Sequence, residues 1–338
     1  SRSEKADMSV HRPERRVLMH GETPLTRPSR TAAELDIDLW LKRDDLTGLA
    51  ESGNKLRKLE YLVAEAIAQN ADTLVTVGGV NSNHARATAV VAARLGLKSH
   101  LLLRGEDRHP PTGNLLIDKM LGAGLTFINA RQWADRYDIM NDVADDLRRQ
   151  GRRPYLIPEG GSNALGTLGY MAMIPELLRQ IDAVGEPLRR IVHATGSGGT
   201  TAGLALGLAD ADRSDVDVLG VAVCNDAPYF DHRIQTIADE IEARGWIDAS
   251  TRASARWTIV EGYKGKGYGR TTAREMAEHA ALARADGIFV DPVYSGKAFC
   301  ALRDMAASQR WTDGVTVFLH TGGLFELFAF GHEIQALD

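Results

Sequence analysis

The chain contains a lysine, Lys55, at a position where its amine could act as a nucleophile. Ser52 is a suitable helix N-cap, and apolar residues then recur with helical spacing at Leu56, Leu59, Leu62, Val63, Ala66 and Ile67. The first turn of a helix presents unpaired N–H groups and the positive end of the helix dipole, which favours the neutral form of a lysine amine. A neutral lysine amine can bond to a carbonyl carbon. Lys55 is therefore a candidate catalytic residue, although most lysines in such a turn are solvated.

A glycine-rich loop later in the chain could bind a phosphate group. It reads Gly196-Ser197-Gly198-Gly199-Thr200-Thr201 and lies between a predicted strand and a predicted helix. Glycines allow backbone N–H groups to approach an anion, hydroxyls add donors, and the helix points its positive end at the site. The loop lacks the Gly-Lys-Ser/Thr of a P-loop, and no acidic residue ends the next strand as a dinucleotide site requires. A phosphate cup is one interpretation, and a tight strand-to-helix turn is the other.

Three further loops follow predicted strands and are rich in glycine or hydroxyl side chains: residues 78–84, 291–297 and 321–323. In open α/β sheets, ligands bind beyond the carboxyl ends of the strands. Asn83 is then either a turn residue or a donor to a ligand, and Ser82 either caps a helix or contacts a ligand. Tyr294 is a candidate for the site or for the core, whereas His84 and His320 have the more common role of buried, satisfied histidines.

Composition restricts the class of protein. The chain has 338 residues, a net charge of −5 and ordinary hydrophobic and charged fractions of 44% and 25%, which disfavours a general nucleic-acid or membrane-surface binder. No apolar stretch is long enough to span a membrane, and Ser1 to Val10 has no signal-peptide core. The two cysteines, Cys224 and Cys300, predict neither a disulfide framework nor a cysteine-rich metal site, and we expect a cytoplasmic protein without a metal.

The order of apolar runs predicts strands that alternate with helices, as in parallel sheets with right-handed crossovers. Strands are predicted at 39–42, 73–77, 99–103, 126–128, 155–158, 191–194, 218–223, 257–260, 287–290 and 315–320. A chain of this length predicts two domains, and the glycine-dense stretch 160–169 marks a candidate crossing between them. The paired carboxylates Asp44 and Asp45 are interpreted as structural, with Arg43 or Lys58 as partners.

The candidate groups suit one cofactor in particular. Pyridoxal 5′-phosphate requires a lysine that bonds to its carbonyl carbon, a phosphate site, and side chains that contact its ring substituents. Lys55, the glycine loop and the hydroxyl residues at strand ends could supply these three functions.

Seven segments, in this order and spacing, resemble the D-cysteine desulfhydrase / 1-aminocyclopropane-1-carboxylate deaminase family. They are KRDD at 42–45, SGNKLRKLE at 52–60, SNH at 82–84, GGSNALG at 160–166, GSGGT at 196–200, DPVYSGK at 291–297 and HTGG at 320–323. The resemblance covers about residues 20–330 and implies a pyridoxal-phosphate enzyme. The implied fold class is α/β, with two open, twisted parallel-sheet domains and flanking helices, the tryptophan synthase β-like arrangement of fold type II. It implies a large domain of 1–57 plus 164–338, a small domain of 58–163, and a homodimer.

The resemblance also implies roles for individual residues. Lys55 would bind the cofactor covalently, Asn83 its O3′ atom, and Thr321 would face its pyridine nitrogen. A threonine there would not force protonation of the ring, which suits β-elimination better than transamination. The implied phosphate site is Gly196, Ser197, Gly198, Gly199 and Thr200. The implied substrate contacts are Ser82, Asn81, His84 and Tyr294, with Tyr268 and Tyr294 at the reacting end.

Two positions separate the subgroups of this family. The cyclopropane deaminases usually have Glu after the Asp-Pro-Val-Tyr run and Leu after the histidine of the last segment, whereas this chain has Ser295 and Thr321. Both residues favour the desulfhydrase or L-cysteate sulfo-lyase side. Lys264, Lys266 and Arg270 form either a solvated basic loop or a site for a second anionic group of the substrate.

The expected function is a pyridoxal-phosphate carbon–sulfur lyase. It would convert D-cysteine to pyruvate, sulfide and ammonia, or L-cysteate to pyruvate, sulfite and ammonia, with Lys55 as the base for the α-proton. Three alternatives are open: a 1-aminocyclopropane-1-carboxylate deaminase, an NAD-dependent oxidoreductase, and a catalytically silent amino-acid-binding protein.

Overall fold

The computed structural model describes residues 11–335 and contains two open sheets with helices on their faces. Residues 1–10, for which the sequence predicts no signal peptide, lie outside the described residues. The strands are β1 (Leu25–Thr26), β2 (Leu39–Lys42), β3 (Thr73–Gly79), β4 (Lys98–Arg104), β5 (Gly124–Ile128), β6 (Pro154–Ile157), β7 (Leu188–Thr195), β8 (Asp217–Ala222), β9 (Thr258–Val260) and β10 (Val315–Leu319). The helices are α1 (Ser29–Leu35), α2 (Lys55–Ala68), α3 (Asn83–Arg94), α4 (Gly113–Met120), α5 (Arg136–Arg149), α6 (Ala164–Met171), α7 (Met173–Val184), α8 (Gly199–Asp210), α9 (Ala227–Ala243), α10 (Ala249–Ser254), α11 (Ala273–Asp286), α12 (Ser295–Gln309), α13 (Leu324–Leu327) and α14 (Gly331–Gln335).

The larger sheet has six strands in the order β1-β2-β10-β7-β8-β9. All neighbours are parallel except the two-residue edge strand β1, which is antiparallel to β2. The central strands β7 and β10 are almost wholly buried, as expected for a parallel sheet covered on both faces. Because the strands are parallel, their carboxyl ends share one edge, from which the glycine loop before α8 and the segment after β10 emerge.

The smaller sheet has four parallel strands in the order β5-β4-β3-β6. Alternation along β4 divides its core in two: Leu101 and Leu103 pack with residues of α3 and α4, and Leu102 packs with Met140 of α5. All four strands fall within 58–163, and the strands of the larger sheet fall outside that range. The exact limits of the two domains stay a prediction.

The helix that carries Lys55 begins two residues later than a cap at Ser52 requires, so that prediction is wrong. Asn54 precedes α2, already has helical backbone angles, and makes no side-chain cap. Its backbone N–H instead donates to the carbonyl of Thr321 at 3.0 Å. The start of α2 is therefore set by contact with the segment after β10.

The strand predicted at 287–290 is also wrong, because the structure shows no strand in that range. The carbonyl oxygen of Phe289 bonds to the His320 ring at 2.8 Å instead of to a neighbouring strand. Ile288 and Val290 are buried in the hydrophobic core beside the larger sheet. The burial of these two side chains accounts for the apolar pattern without a strand.

A buried network of charged groups lies behind α2. The guanidinium of Arg57 donates two hydrogen bonds to Asp44 (2.8 and 2.9 Å) and two to Glu176 (both 3.0 Å). Lys42 pairs with Glu176, and the hydroxyl of Tyr170 donates to Asp44 at 2.6 Å. The network joins the second strand, the lysine helix and helices α6 and α7, and its members are at most 9% exposed.

The two aspartates therefore have structural roles, as predicted, with one different partner. Asp45 pairs with Arg43 at 2.7 Å, whereas Asp44 pairs with Arg57. Lys58, the other suggested partner, donates to Ser162 instead. Over the described range, 11–335, we find no helix with the length and apolarity that a membrane crossing demands.

Candidate active site

A cavity of about 360 Å³ lies beyond the carboxyl ends of strands from both sheets. Most of the predicted site residues line it: Lys55, Ser82, Asn83, His84, Gly196, Ser197, Gly198, Thr200, Tyr268, Tyr294 and Thr321. Gly199 and Asn81 are outside this lining. Segments that are up to 266 residues apart in sequence thus meet around one volume, which is large enough for a cofactor and a small substrate.

Lys55 is the first residue of α2 and lies on the cavity wall. Burial lowers the pKa of its amine to about 8, against a partial opposing effect from the carboxylates of Glu159 and Asp291. About one in ten such amines is neutral at pH 7, several hundred times more than for a solvated lysine. Burial is thus a physical cause of nucleophilicity that the helix position alone did not reveal.

The glycine loop forms the expected cup at the start of α8. Gly198 has φ of +84°, which turns the chain into the helix. The hydroxyl of Ser197 bonds to that of Ser162 at 2.7 Å, and the side-chain amide of Asn54 donates to Thr200 at 3.3 Å. A helix N-terminus with glycines and hydroxyls is suited to a phosphate.

Lys58 lies directly behind this cup and was not predicted as a site residue. Its amine donates to Ser162 at 2.9 Å, and a Cβ placed on Gly199 would lie 3.0 Å from it. Burial, followed by the charges of Lys55 and Arg233, holds the pKa of Lys58 well below its ordinary value. A bound anion would favour the charged amine, so the electrostatics of this pocket fit a phosphate.

Gly199→Ala is expected to weaken binding of the cofactor by about tenfold or more. A Cβ at this position would lie 2.6 Å from the Ser162 hydroxyl oxygen and 3.0 Å from the Lys58 amine, so the cup must deform. The dissociation constant of pyridoxal phosphate, measured by absorbance titration of the apoprotein, checks this. Gly331→Ala is the matched control, because its Cβ would meet nothing within 4 Å. Equal affinities in both variants would contradict the assignment of the cup.

Asn83 has an orientation fixed by two neighbours. Its side-chain NH₂ donates to Glu326 at 2.8 Å, and its oxygen accepts from Asn114 at 2.9 Å. One amide N–H is left for the cavity, as a donor to a ligand oxygen requires. Glu326 is 2% exposed and was not predicted. Burial, then the charge of Asp291, raises its pKa well above the ordinary value.

Ser82 has the capping role that was considered for it, and its contact with a ligand stays a prediction. It is the N-cap of α3, where its hydroxyl oxygen accepts from the N–H of Ala85 at 3.2 Å, and it also lines the cavity. The hydroxyl proton can still donate to a ligand. His84 lines the cavity but bonds through its ring to Thr76 at 2.8 Å, and burial holds its pKa well below the ordinary value. Its neutral ring is consistent with the structural role.

The two predicted tyrosines form a pair. The hydroxyl oxygens of Tyr268 and Tyr294 are 2.6 Å apart, and their rings meet edge to face. Burial, the largest cause in each case, raises the pKa of both phenols, so both remain protonated at neutral pH. A Cβ on Gly79 or Gly196 would come within 3.0 Å of these rings, so the glycines make room for the pair.

Other predicted positions lie away from the cavity. Ser295 is buried and its hydroxyl bonds to Asp291. Asn81 contributes its backbone carbonyl to Asn114 at 2.6 Å. Lys264, Lys266 and Arg270 do not line the cavity, although Tyr268 of the same loop does. The cavity wall instead carries three charged residues that were not predicted as site residues: Arg104, Arg136 and Glu159.

These groups fit pyridoxal phosphate. The cavity offers a lysine with a lowered pKa, an anion site at a helix N-terminus, and a fixed amide donor, while Thr321 supplies a hydroxyl on the same wall. Lys55, Asn83, Thr321 and the loop 196–200 would hold the cofactor. The cofactor, when bound, withdraws electrons from the α-carbon of an amino acid.

Comparisons with known proteins agree with this fit. The family model described as "Pyridoxal-phosphate dependent enzyme" matches residues 17–322. A mitochondrial bifunctional D-cysteine desulfhydrase/1-aminocyclopropane-1-carboxylate deaminase of Arabidopsis thaliana is 38% identical over 322 residues, which cover 92% of this chain and 78% of that protein. A D-cysteine desulfhydrase of Serratia proteamaculans (strain 568) is 38% identical over 323 residues, covering 94% of this chain and 96% of that protein.

A crystal structure described as "the ACC deaminase homologue" superposes with a TM-score of 0.88 at 35% identity and covers 96% of each chain. The predicted fold class and the predicted cofactor are thereby confirmed, and the nicotinamide alternative loses its basis. The chain belongs to the pyridoxal-phosphate dependent enzymes, in the family of the D-cysteine desulfhydrases and 1-aminocyclopropane-1-carboxylate deaminases.

Proposed function

We propose that the protein is a lyase that eliminates a sulfur-based group from the β-carbon of a small amino acid. The candidate substrates are D-cysteine, which would release sulfide, and L-cysteate, which would release sulfite. The C–S bond breaks, its electron pair leaves with the sulfur, and the α-proton is removed. The remaining 2-aminoacrylate reacts with water to give pyruvate and ammonia.

The observation that carries this proposal is the presence of Thr321 on the cavity wall. Its backbone carbonyl accepts from Asn54 N–H, which fixes it beside the residue that precedes Lys55. A hydroxyl at the position that the family resemblance assigns to the pyridine nitrogen does not force ring protonation. This favours elimination over transamination.

The other wall residues support a division of roles. Lys55, with its lowered pKa, can accept the α-proton in its neutral form. Ser82 and the remaining N–H of Asn83 can donate to oxygens of the substrate and the cofactor. The paired phenols of Tyr268 and Tyr294 stay protonated and can donate to the departing group. Which group removes the proton depends on the chirality of the substrate.

A second candidate function is the deamination of 1-aminocyclopropane-1-carboxylate. The names of the Arabidopsis relative and of the matched crystal structure, which both refer to this deaminase activity, support it. Ser295 and Thr321, which differ from the residues usual in those deaminases, weigh against it.

The test is release of 2-oxo acid by the purified holoenzyme with three substrates side by side. Pyruvate from D-cysteine or L-cysteate, with sulfide or sulfite in equal amount, supports the proposal. 2-Oxobutyrate from 1-aminocyclopropane-1-carboxylate alone supports the second candidate. If the enzyme with bound cofactor releases no 2-oxo acid from any of the three substrates, both candidate functions are refuted and a catalytically inactive amino-acid-binding protein is favoured.

We further propose a cytoplasmic homodimer. The family resemblance supports the dimer, and two unpaired cysteines fit a reducing compartment. Light scattering of the purified protein tests the dimer, and a mass corresponding to one chain of 36.8 kDa would overturn it.

A further inference from the structure

Arg104 ends the second strand of the smaller sheet and lies on the cavity wall. Its guanidinium lies over two aromatic rings, with its Cζ 4.5 Å from the centroid of Trp133 and 5.0 Å from that of Tyr268. The hydroxyl of Tyr268 is hydrogen-bonded to that of Tyr294. Two rings beside a cation restrict its position without using its N–H groups in conventional hydrogen bonds.

Arg104 makes no direct ion pair among residues 11–335, although its charge acts on the carboxyl group of Glu159. No carboxylate oxygen in that range lies within 4.0 Å of its guanidinium, and its side chain makes no hydrogen bond there. The other arginine on the wall, Arg136, differs in this respect, because it pairs with Glu159 at 3.4 Å and donates to the Trp133 carbonyl at 3.0 Å. Arg104 is thus a preorganised cation whose donors have no protein partner.

We propose that Arg104 binds an anionic group on the β-carbon of the substrate. The substrate class is then an amino acid that carries a sulfonate, and this inference rests on the proposed function. A planar guanidinium matches two sulfonate oxygens. When the C–S bond breaks, its electron pair and the added negative charge move onto the departing sulfite, which Arg104 stabilises. The thiol of D-cysteine carries no such anion, so that substrate offers Arg104 no charged group to bind before the C–S bond breaks.

The position beside Tyr268 agrees with this role. Tyr268 and Tyr294 mark the reacting end of the cavity, and Arg104 lies against the first of them. The three basic residues of the loop that the sequence suggested for the same purpose do not line the cavity. The recognition of a second anion therefore falls to Arg104 rather than to Lys264, Lys266 or Arg270.

Arg104→Gln is expected to lower kcat/KM for L-cysteate roughly 30- to 100-fold, as loss of hydrogen bonds to a charged group implies. For D-cysteine we expect a change below about threefold. Arg104→Lys keeps the charge without the planar fork and should recover part of the loss. Arg244→Gln is the matched control, because Arg244 also stacks on a ring (Trp246, 5.0 Å) but is exposed and away from the cavity.

A binding measurement separates recognition from turnover. In the Lys55→Ala background, with pyridoxal phosphate kept in saturating excess, calorimetric titration with L-cysteate should show about 30-fold or greater weakening when Arg104 is also changed to Gln. Equal losses for both substrates in Arg104→Gln, or unchanged cysteate binding, would overturn the inference. A wild-type enzyme that eliminates D-cysteine but neither binds nor converts L-cysteate would overturn it too and leave the proposed function intact. Failure on every substrate would refute the function, while the titration still decides whether Arg104 binds the anion.

Discussion

Lys55→Ala is expected to reduce 2-oxo acid release by at least about 10³-fold, because it removes both the covalent attachment of the cofactor and a candidate base. The loss should appear in kcat. The variant should also lose the yellow absorbance of the bound cofactor or release it on dialysis. In the wild type, borohydride reduction followed by peptide mass spectrometry should place the cofactor on Lys55.

Lys98→Ala is the control for this change, since Lys98 is exposed at the opposite end of β4 from the cavity. It should retain normal activity and colour. Lys58 is the main alternative attachment site for the cofactor, because it is also buried next to the cup and lies only three residues after Lys55. Cofactor attached to Lys58, or wild-type turnover by Lys55→Ala, would refute the assignment of Lys55.

Asp44→Asn is expected to lower the free energy of unfolding by about 3 kcal/mol or more, because it leaves the buried charge of Arg57 short of a partner. Burial alone would raise the pKa of Asp44, but the charge and hydrogen bonds of Arg57 hold it below its ordinary value. A carboxylate with a lowered pKa stabilises the fold above its unfolded pKa of about 3.9. That contribution is lost as the pH falls through the lower folded value. Urea denaturation at pH 7 and at lower pH measures it.

Asp45→Asn is the matched control one residue away. Asp45 pairs with Arg43 at the surface, with side chains 15% and 20% exposed, and we expect a cost of at most about 1 kcal/mol. The difference between the two variants should be constant near pH 7 and shrink below about pH 4. Similar costs for both would show that the network behind α2 contributes little. A large loss of activity in Asp44→Asn without loss of stability would instead indicate that it positions Lys55.

The sequence predicted most strands of both sheets because buried parallel strands form short, continuous apolar runs that glycines interrupt. The strand predicted at 287–290 is wrong for the same reason. Ile288 and Val290 are as buried as residues of a strand, but their backbone has no neighbouring strand to pair with. The prediction of Ser52 as the N-cap is wrong because a residue type that suits a cap does not by itself show where the helix begins. Tertiary contact with Thr321 decided the start of α2.

The cavity was predictable where glycines and hydroxyls follow strands, and the resemblance supplied the roles of Asn83 and Thr321. Arg104, Glu159 and Glu326 could not be found this way. Each is an ordinary charged residue in sequence, and its importance comes from burial or from rings that other segments bring to it. The basic loop near Tyr268 was the visible cluster of positive charge, whereas Arg104 reaches the wall from the end of β4 in the smaller sheet.

The link between the lysine helix and the segment after β10 is made by main-chain atoms. Asn54 N–H donates to the Thr321 carbonyl at 3.0 Å, and Gly53, with φ of +114°, would place a Cβ 2.9 Å from the same oxygen. Neither contact involves the side chain at position 321. The side chain at position 321, which we propose faces the ring, can therefore be exchanged while the contacts that hold the start of the lysine helix remain. On that proposal the residue that tunes the reaction is separate from the contacts that position Lys55, and we expect a substitution there to change the chemistry without displacing the lysine.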